Sequence, residues 1–377
     1  MKALHTGTLA ASAGGPAMST ALTLRGLMGL GVNTTIVMSP LRDGDVLRAN
    51  YIPVIYNGKT LIPKIGYVWD LKECIRKAGD MDIYHAQGVW QYNTYALADV
   101  AREKGRPYII TPRGMLYPQD IAKNNTFFKR LSLKWRLLDD LNRAACVHVT
   151  CEEEMRHCRE LGVTSPMAVI PNPVEIKDYP YRKSDDVVRL GYLGRVSRRK
   201  NIESLIYAFA DLRDELRDAE LLIIGGGDDN YEQFLKAEVE RLGLKNVCFA
   251  GFLSGEAKDK ALASCSVLAM PSEFENLGNV ILEGLVRGIP CIATKGSPWQ
   301  ELEERDCGWW VDYSQQAITE AVRKALTTTQ TKLSAMGRRG RQLMEEKYSV
   351  EAVGAQMKAL YEWAINGGES PRFVHKI

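Results

Sequence analysis

The chain has little that would commit it to a membrane span, a metal centre or a nucleic acid. No apolar run approaches the roughly 18 residues a crossing helix needs. The opening segment MKALHTGTLAASAGG lacks the apolar stretch of a secretory signal, so a cytoplasmic location is expected. Eight cysteines are present, yet none forms a C-x-x-C pair. Most lie in apolar segments such as AACVHVTC and LASCSVLAM, which reads as buried free thiols rather than a disulfide framework. Cys146, His148 and Cys151 could be imagined around a metal, but strand alternation sends the first two to one face with no second ligand pair. No resident metal or cofactor is expected. The charges nearly cancel, 49 Lys and Arg against 46 Asp and Glu, a net of +3. That excludes a basic footprint over the whole protein and, with it, nucleic acid as a partner. No repeat and no low-complexity tract is visible.

What is present is ordinary for a globular protein: 377 residues, 45% hydrophobic and 25% charged, enough for two domains. Strand and helix signals alternate twice over. KALHTGTL, NTTIVMS, DIYHAQ, PYIITPRG and AACVHVTC read as strands with helices between them, which implies a parallel sheet. Residues 41–69 interrupt the pattern without a clear assignment. AVIPNPVEI (168–176) reads as a linker, with two prolines around an asparagine. A second α/β series then runs through VVRLGYLGRV, ELLIIGGGD, NVCFAGF, SVLAMPS and PCIATKG. The expected division is residues 1–170, 171–350 and a C-terminal helix and tail at 351–377. Two α/β halves imply a cleft between them, a preferred place for a ligand.

The residues that carry chemistry are concentrated in two segments. In PSEFENLGNVILEG, Glu275 and Glu283 flank Asn276, Leu277 and Gly278 at an expected helix start. In GRVSRRKN, Arg195 and Lys200 follow a short strand. Arg and Lys hold a diphosphate because they stay charged. A helix beginning near Gly278 would aim backbone N–H groups at a phosphate. Carboxylates accept hydrogen bonds from sugar hydroxyls. Glu283 lies in a largely apolar helix, where an unpaired charge is costly, so a ligand or a buried partner is expected for it. Together these suit a sugar nucleotide.

The E-x7-E run with G-x-x-x-x-E inside it resembles the signature of the retaining glycosyltransferases of family 4, whose fold is GT-B. G-R-x-S-x-x-K-N resembles their diphosphate motif. The likeness extends through ASAGGPAMS, DIYHAQGVW, VIPNPV, LLIIGGGD and VCFAGFLS, nearly the whole chain. It implies two Rossmann-like parallel-sheet domains facing each other across a cleft, with the last helix crossing back to the first domain. It also implies a retaining, metal-independent hexosyl transfer from a nucleotide-diphosphate sugar to a glycan or lipid-linked glycan. The resemblance places Arg195 and Lys200 on the leaving diphosphate. Glu275 falls beside the donor sugar and Glu283 on the ribose. Backbone groups of Asn276, Leu277 and Gly278 face the donor, as do Gly14 and Gly15 in the first glycine loop, and Gly251 and Phe252 lie near the base. His85 matches the family's active-site histidine, although Gln87 stands where relatives often repeat the histidine. TPRGML (111–116) resembles enzymes that build bacterial surface polysaccharides, with Arg113 and Trp90 on the acceptor side.

KNNTFFKRLSLKWRLLDDLNRA (123–144) reads as an amphipathic helix, with Phe128, Leu131, Trp135 and Leu138 on one face. It is expected either to pack that face in the core or to set it on an anionic membrane at the inner side of the cell envelope. Rival readings are a sugar-nucleotide epimerase or phosphorylase of the same architecture, and a non-catalytic glycan- or lipid-head-group-binding protein. A nicotinamide-dependent dehydrogenase fits poorly, because GGGDDN at 225–230 lacks the third glycine of G-x-G-x-x-G.

Overall fold

A computed structural model describes residues 1–123, 125–180 and 187–376. The chain divides into two compact units, Met1–Pro173 with Ser349–Ile377, and Val174–Tyr348.

The first unit is built on strands β1 (Lys2–Thr6), β2 (Asn33–Met38), β3 (Val54–Tyr56), β4 (Ile83–Gln87), β5 (Tyr108–Thr111), β6 (Cys146–Val149) and β7 (Met167–Val169). In the second unit follow β8 (Arg189–Leu193), β9 (Glu220–Ile224), β10 (Val247–Gly251), β11 (Val267–Met270), β12 (Cys291–Thr294) and β13 (Gly308–Val311). β14 (Val374–His375) returns to the first unit and pairs antiparallel with β7. The first sheet runs β14-β7-β6-β5-β4-β1-β2-β3 and the second β10-β9-β8-β11-β12-β13. All pairs except β14 with β7 are parallel. The central strands are buried along their length, as parallel strands covered by helices must be.

The helix Val350–Asn366 packs on the helix Gly15–Gly29 in the first unit. Glycines set the distance. A Cβ on Gly26 would stand 2.5 Å from the Val350 carbonyl oxygen, and one on Gly354 would stand 2.9 Å from the Gly26 backbone. Ser349 starts the C-terminal helix by accepting a hydrogen bond from the Ala352 N–H at 3.1 Å.

Residues 41–69, which the sequence left unassigned, form the edge strand β3 and a 3-10 turn at Pro63–Ile65. Ahead of β3 the segment clasps the first glycine loop. Ala11 N–H donates to the Val46 carbonyl and Arg48 N–H to the Leu9 carbonyl, each at 2.9 Å. Ser12 N–H donates to Asp45 Oδ1 at 3.1 Å.

The amphipathic segment differs from expectation. It runs as helix Thr126–Ser132, a wide π turn Leu133–Leu137 and helix Leu138–Asn142. Residue 124 of the expected helix lies outside the described residues. The buried stripe is Leu133, Leu137 and Leu141, while Phe128 is 68% and Trp135 83% exposed. Phe128, Leu131 and Trp135 of the stripe read from spacing therefore face outward, joined by Phe127, while Leu138 packs partly buried against the core.

In the second unit the helices Asp229–Arg241, Gln315–Thr327 and Gln330–Leu343 begin at Asp228, Ser314 and Thr329, whose side chains accept from the first turn. β13, from GWWV, was not read from the sequence as a strand.

Candidate functional sites

In the second unit the carboxyl ends of β8, β9 and β10 are drawn together by backbone contacts. Gly194 N–H donates to the Ile224 carbonyl at 3.0 Å and Gly225 N–H to the Gly251 carbonyl at 2.8 Å. Only glycine fits at 225, because a Cβ there would lie 1.8 Å from the Gly194 oxygen. This places Arg195 just after β8 and Phe252 just after β10. Arg195 is exposed and forms no ion pair among the described residues. Phe252 is 80% exposed, an aromatic surface beside the Gly251 turn.

Lys200 closes the 3-10 turn Arg198–Lys200 and gives its ammonium to Glu275 Oε1, a residue 75 positions away. Arg199 stands 3.7 Å from the same oxygen. The two loops are also joined through the backbone, with Glu273 N–H on the Arg199 carbonyl at 2.9 Å. Glu275 is only 8% exposed and its N–H donates to the Gly296 carbonyl. One buried carboxylate thus sits between two cations, leaving net positive charge at the site. The helix Asn279–Leu285 begins right after Gly278, whose φ of 73° favours glycine. Leu277 is buried and its carbonyl accepts from Trp299 Nε1 at 2.5 Å. Asn276 lies between these buried anchors.

Glu283 is not unpaired. Lys258 donates to its Oε2 at 2.6 Å, and Arg287 lies 4.0 Å away. The partner expected from its apolar surroundings is thus supplied by the chain, and Lys258 lies in no motif that would single it out.

The first unit holds a cavity of about 550 Å³ lined in part by Thr8, Ala13, Pro16, Asn57, Gln87 and Arg113. Gly14 and Gly15 stand at its edge, at the start of the helix Gly15–Gly29, and Gly14 has φ 63°. Trp90 (φ 70°) and Arg113 (φ 55°) are non-glycine residues in the left-handed region, on the loops after β4 and β5. Trp90 Nε1 joins those loops by donating to the Met115 carbonyl at 3.1 Å. Arg113 donates to Gln87 Oε1, Ser19 Oγ, Thr20 Oγ1 and Asn172 Oδ1 at 2.7–3.1 Å. Burial brings its pKa down to about 10, against the opposing charge of Glu154.

His85 departs from its expected role. It is the middle residue of β4, fully buried, with Nδ1 on the Tyr361 hydroxyl and Nε2 on Thr111 Oγ1, each at 2.6 Å. Both ring nitrogens are taken by the chain, so the imidazole has none left for a donor sugar. The strand-end position belongs to Gln87, which does line the cavity. His85 is instead one link in a polar row across neighbouring strands. His5 lies beside it on β1, and Thr111 passes the row to His148 at 2.8 Å. His148 ends it on the Ile170 carbonyl at 2.8 Å. Desolvation holds all three imidazoles neutral, His5 down to about 3, His148 to about 4 and His85 well below its ordinary value.

Two Asp-x-Asp runs occur, at 43–45 and 80–82. Asp45 is engaged by Ser12 and Asp82 accepts from the Lys2 N–H. Among the described residues no group of three His, Cys, Asp or Glu is arranged to hold a metal ion.

Comparison with known proteins bears on both units. The family described as glycosyl transferases group 1 matches residues 175–343, and the glycosyl transferase 4-like domain matches residues 14–173. The lipopolysaccharide glucosyltransferase WaaG of Escherichia coli is 28% identical over 68% of this chain and 68% of its own length. An uncharacterized glycosyltransferase of Methanocaldococcus jannaschii is 32% identical, over 34% of this chain and only 32% of that protein. Among solved structures, HepE of Anabaena in complex with UDP and glucose superposes with a TM-score of 0.73 at 18% identity, covering 95% of this chain and 98% of that one.

Proposed function

The chain belongs to the group 1 glycosyltransferases, and we propose that it moves a sugar, with retention, from a nucleotide-diphosphate sugar to a hydroxyl of a glycan or lipid-linked glycan. The observation that carries the reading is the meeting of Lys200 and Glu275 from segments 75 residues apart. Lys200 has three N–H donors and gives one to Glu275 Oε1, so it can also bind a phosphate. Arg195, exposed and in no ion pair among the described residues, adds the second cation. Together they neutralise the leaving diphosphate, which in turn takes the acceptor's proton as the new bond forms on the same face. Glu275 orients Lys200 and accepts from a donor-sugar hydroxyl. Glu283, held by Lys258, accepts from the ribose. The segment Asn276–Gly278 offers backbone groups, and Phe252 and Gly251 receive the base. No divalent ion is needed in this scheme.

Trp90 and Arg113 form the acceptor side with Gln87. The exposed face Phe127, Phe128, Leu131 and Trp135, bordered by exposed Lys123, Arg130 and Lys134, supports peripheral contact with an anionic membrane. No helix among the described residues is long and apolar enough to cross a membrane. Assembly of a surface polysaccharide at the inner face of the cell membrane fits this surface and the likeness to WaaG.

A thermal-shift screen against UDP, GDP, ADP and their sugar conjugates tests the reading. One nucleotide should raise the melting temperature by mass action. A chain indifferent to all of them would speak for a binding protein instead.

A further inference from the structure

We infer that Lys258 is a specificity-determining residue for the donor: with Glu283 it forms a pair that hydrogen-bonds the ribose hydroxyls of the nucleotide. The inference rests on the glycosyltransferase reading, in which Glu283 accepts from the ribose, and adds to it a second contact residue. Lys258 lies on the helix Gly255–Ala263 in the second unit. That helix begins soon after Gly251 and Phe252, so the segment proposed for the base leads directly into it.

An exposed ion pair is often no more than that. The charges around this one argue for more. Arg287 is buried, and its guanidinium carbon lies 4.0 Å from the centre of the Tyr179 ring, which fixes it. It donates from Nη1 to the Glu283 carbonyl at 2.8 Å and from Nη2 to Asp259. Nη1 also stands 4.0 Å from Glu283 Oε2. Lys177 Nζ is 3.9 Å from Asp259 Oδ2. Arg287 and Lys177 thus already face Glu283 and Asp259 one for one. Lys258 is the surplus cation of this group, beyond what the two carboxylates need.

The pair is also shaped for a diol. Lys258 Nζ donates to Glu283 Oε2 at 2.6 Å. An ammonium has three N–H donors, and this bond takes one. Neither the remaining donors nor Glu283 Oε1 has a partner among the described residues. Both side chains stay within reach of a ligand, 26% exposed for Lys258 and 30% for Glu283. Free N–H donors therefore stand beside a free carboxylate oxygen. A vicinal diol matches this, with one hydroxyl donating to the carboxylate and an oxygen accepting from the ammonium. Asp259 follows Lys258 on the same helix, so its bond to Arg287 holds that helix against Glu283 and keeps the pair together.

Isothermal titration calorimetry on the full chain tests this, with UDP, GDP and ADP and the 2′,3′-dideoxy form of each. Wild type should bind at least one ribonucleotide about tenfold or more tightly than its dideoxy form. Lys258→Met should shrink that preference by about fivefold or more, and a smaller fall overturns the inference. Loss of fold or of the diphosphate site would weaken both forms together and leave their ratio, so the ratio separates a ribose contact from a structural role. A crystal structure of the wild-type complex decides the matter without any variant. Lys258 Nζ within hydrogen-bonding distance of a ribose oxygen is the result expected, and an ammonium turned away from the ribose overturns the inference. A wild type that binds both forms alike takes the ribose from Glu283 and overturns the inference with it. A wild type that binds none of these nucleotides overturns the glycosyltransferase reading as well, and so differs from one that prefers ribose without Lys258.

Discussion

Mild acid should destabilise the first unit selectively. His5, His85 and His148 are buried and neutral, with folded pKa values held below the ordinary 6.5 by desolvation. Stability depends on pH through the difference in bound protons between unfolded and folded chains. Here the unfolded chain binds more protons below about pH 6.5, so stability falls as pH falls, from that point down towards the depressed folded values. Between pH 7.5 and 5.5 each such imidazole removes about 1.4 kcal/mol, and the three together about 4 kcal/mol. For a unit of this size that lowers the melting temperature by roughly 10 °C. The second unit supplies an internal control, since residues 174–348 contain no histidine. Carboxylates titrate mostly below this window. The assay is urea unfolding followed by circular dichroism at both pH values, in wild type and in His85→Gln. The first unit's transition should move and the second's stay, and the variant should show about 1.4 kcal/mol less pH dependence. A first-unit loss below about 1 kcal/mol would refute the buried neutral row.

Other consequences follow from particular contacts. Gly354→Ala forces a methyl group to 2.9 Å from the Gly26 backbone. It should cost about 1–3 kcal/mol, read as a lower melting temperature, and an unchanged value would contradict the close helix crossing. Phe127→Ser with Trp135→Ser should weaken sedimentation with vesicles rich in phosphatidylglycerol while leaving nucleotide binding intact. Equal sedimentation of variant and wild type would remove the membrane role from this face.

Much of the fold was legible because its signals are local and repeated. Apolar runs gave the strands at DIYHAQ, PYIITPRG and ELLIIGGGD, and E-x7-E with G-R-x-S-x-x-K-N pointed to the pair that the fold joins as Lys200 and Glu275. What sequence did not give depends on long-range context. Spacing identified the stripe Phe128, Leu131, Trp135, but the leucines at 133, 137 and 141 recur every four residues and compete with it. Only packing decides between the stripes, and the π turn at Leu133–Leu137 shifts the register between them. His85 matched a motif, yet its strand lies inside the sheet, between β1 and β5, and the ring is buried there with both nitrogens satisfied. Lys258 carries no motif at all, and it matters through Glu283, 25 positions away in sequence.

The account's central claim is that Lys200, positioned by Glu275, stabilises a departing diphosphate. The most direct test is release of nucleoside diphosphate from the donor that gives the thermal shift, with wild type and Lys200→Ala compared without added metal and with EDTA present. The account predicts release by wild type under chelation and a fall of about a hundredfold or more in the variant, with the variant still folded by circular dichroism. Near-normal release by Lys200→Ala, or no release by wild type from any donor it binds, would contradict it.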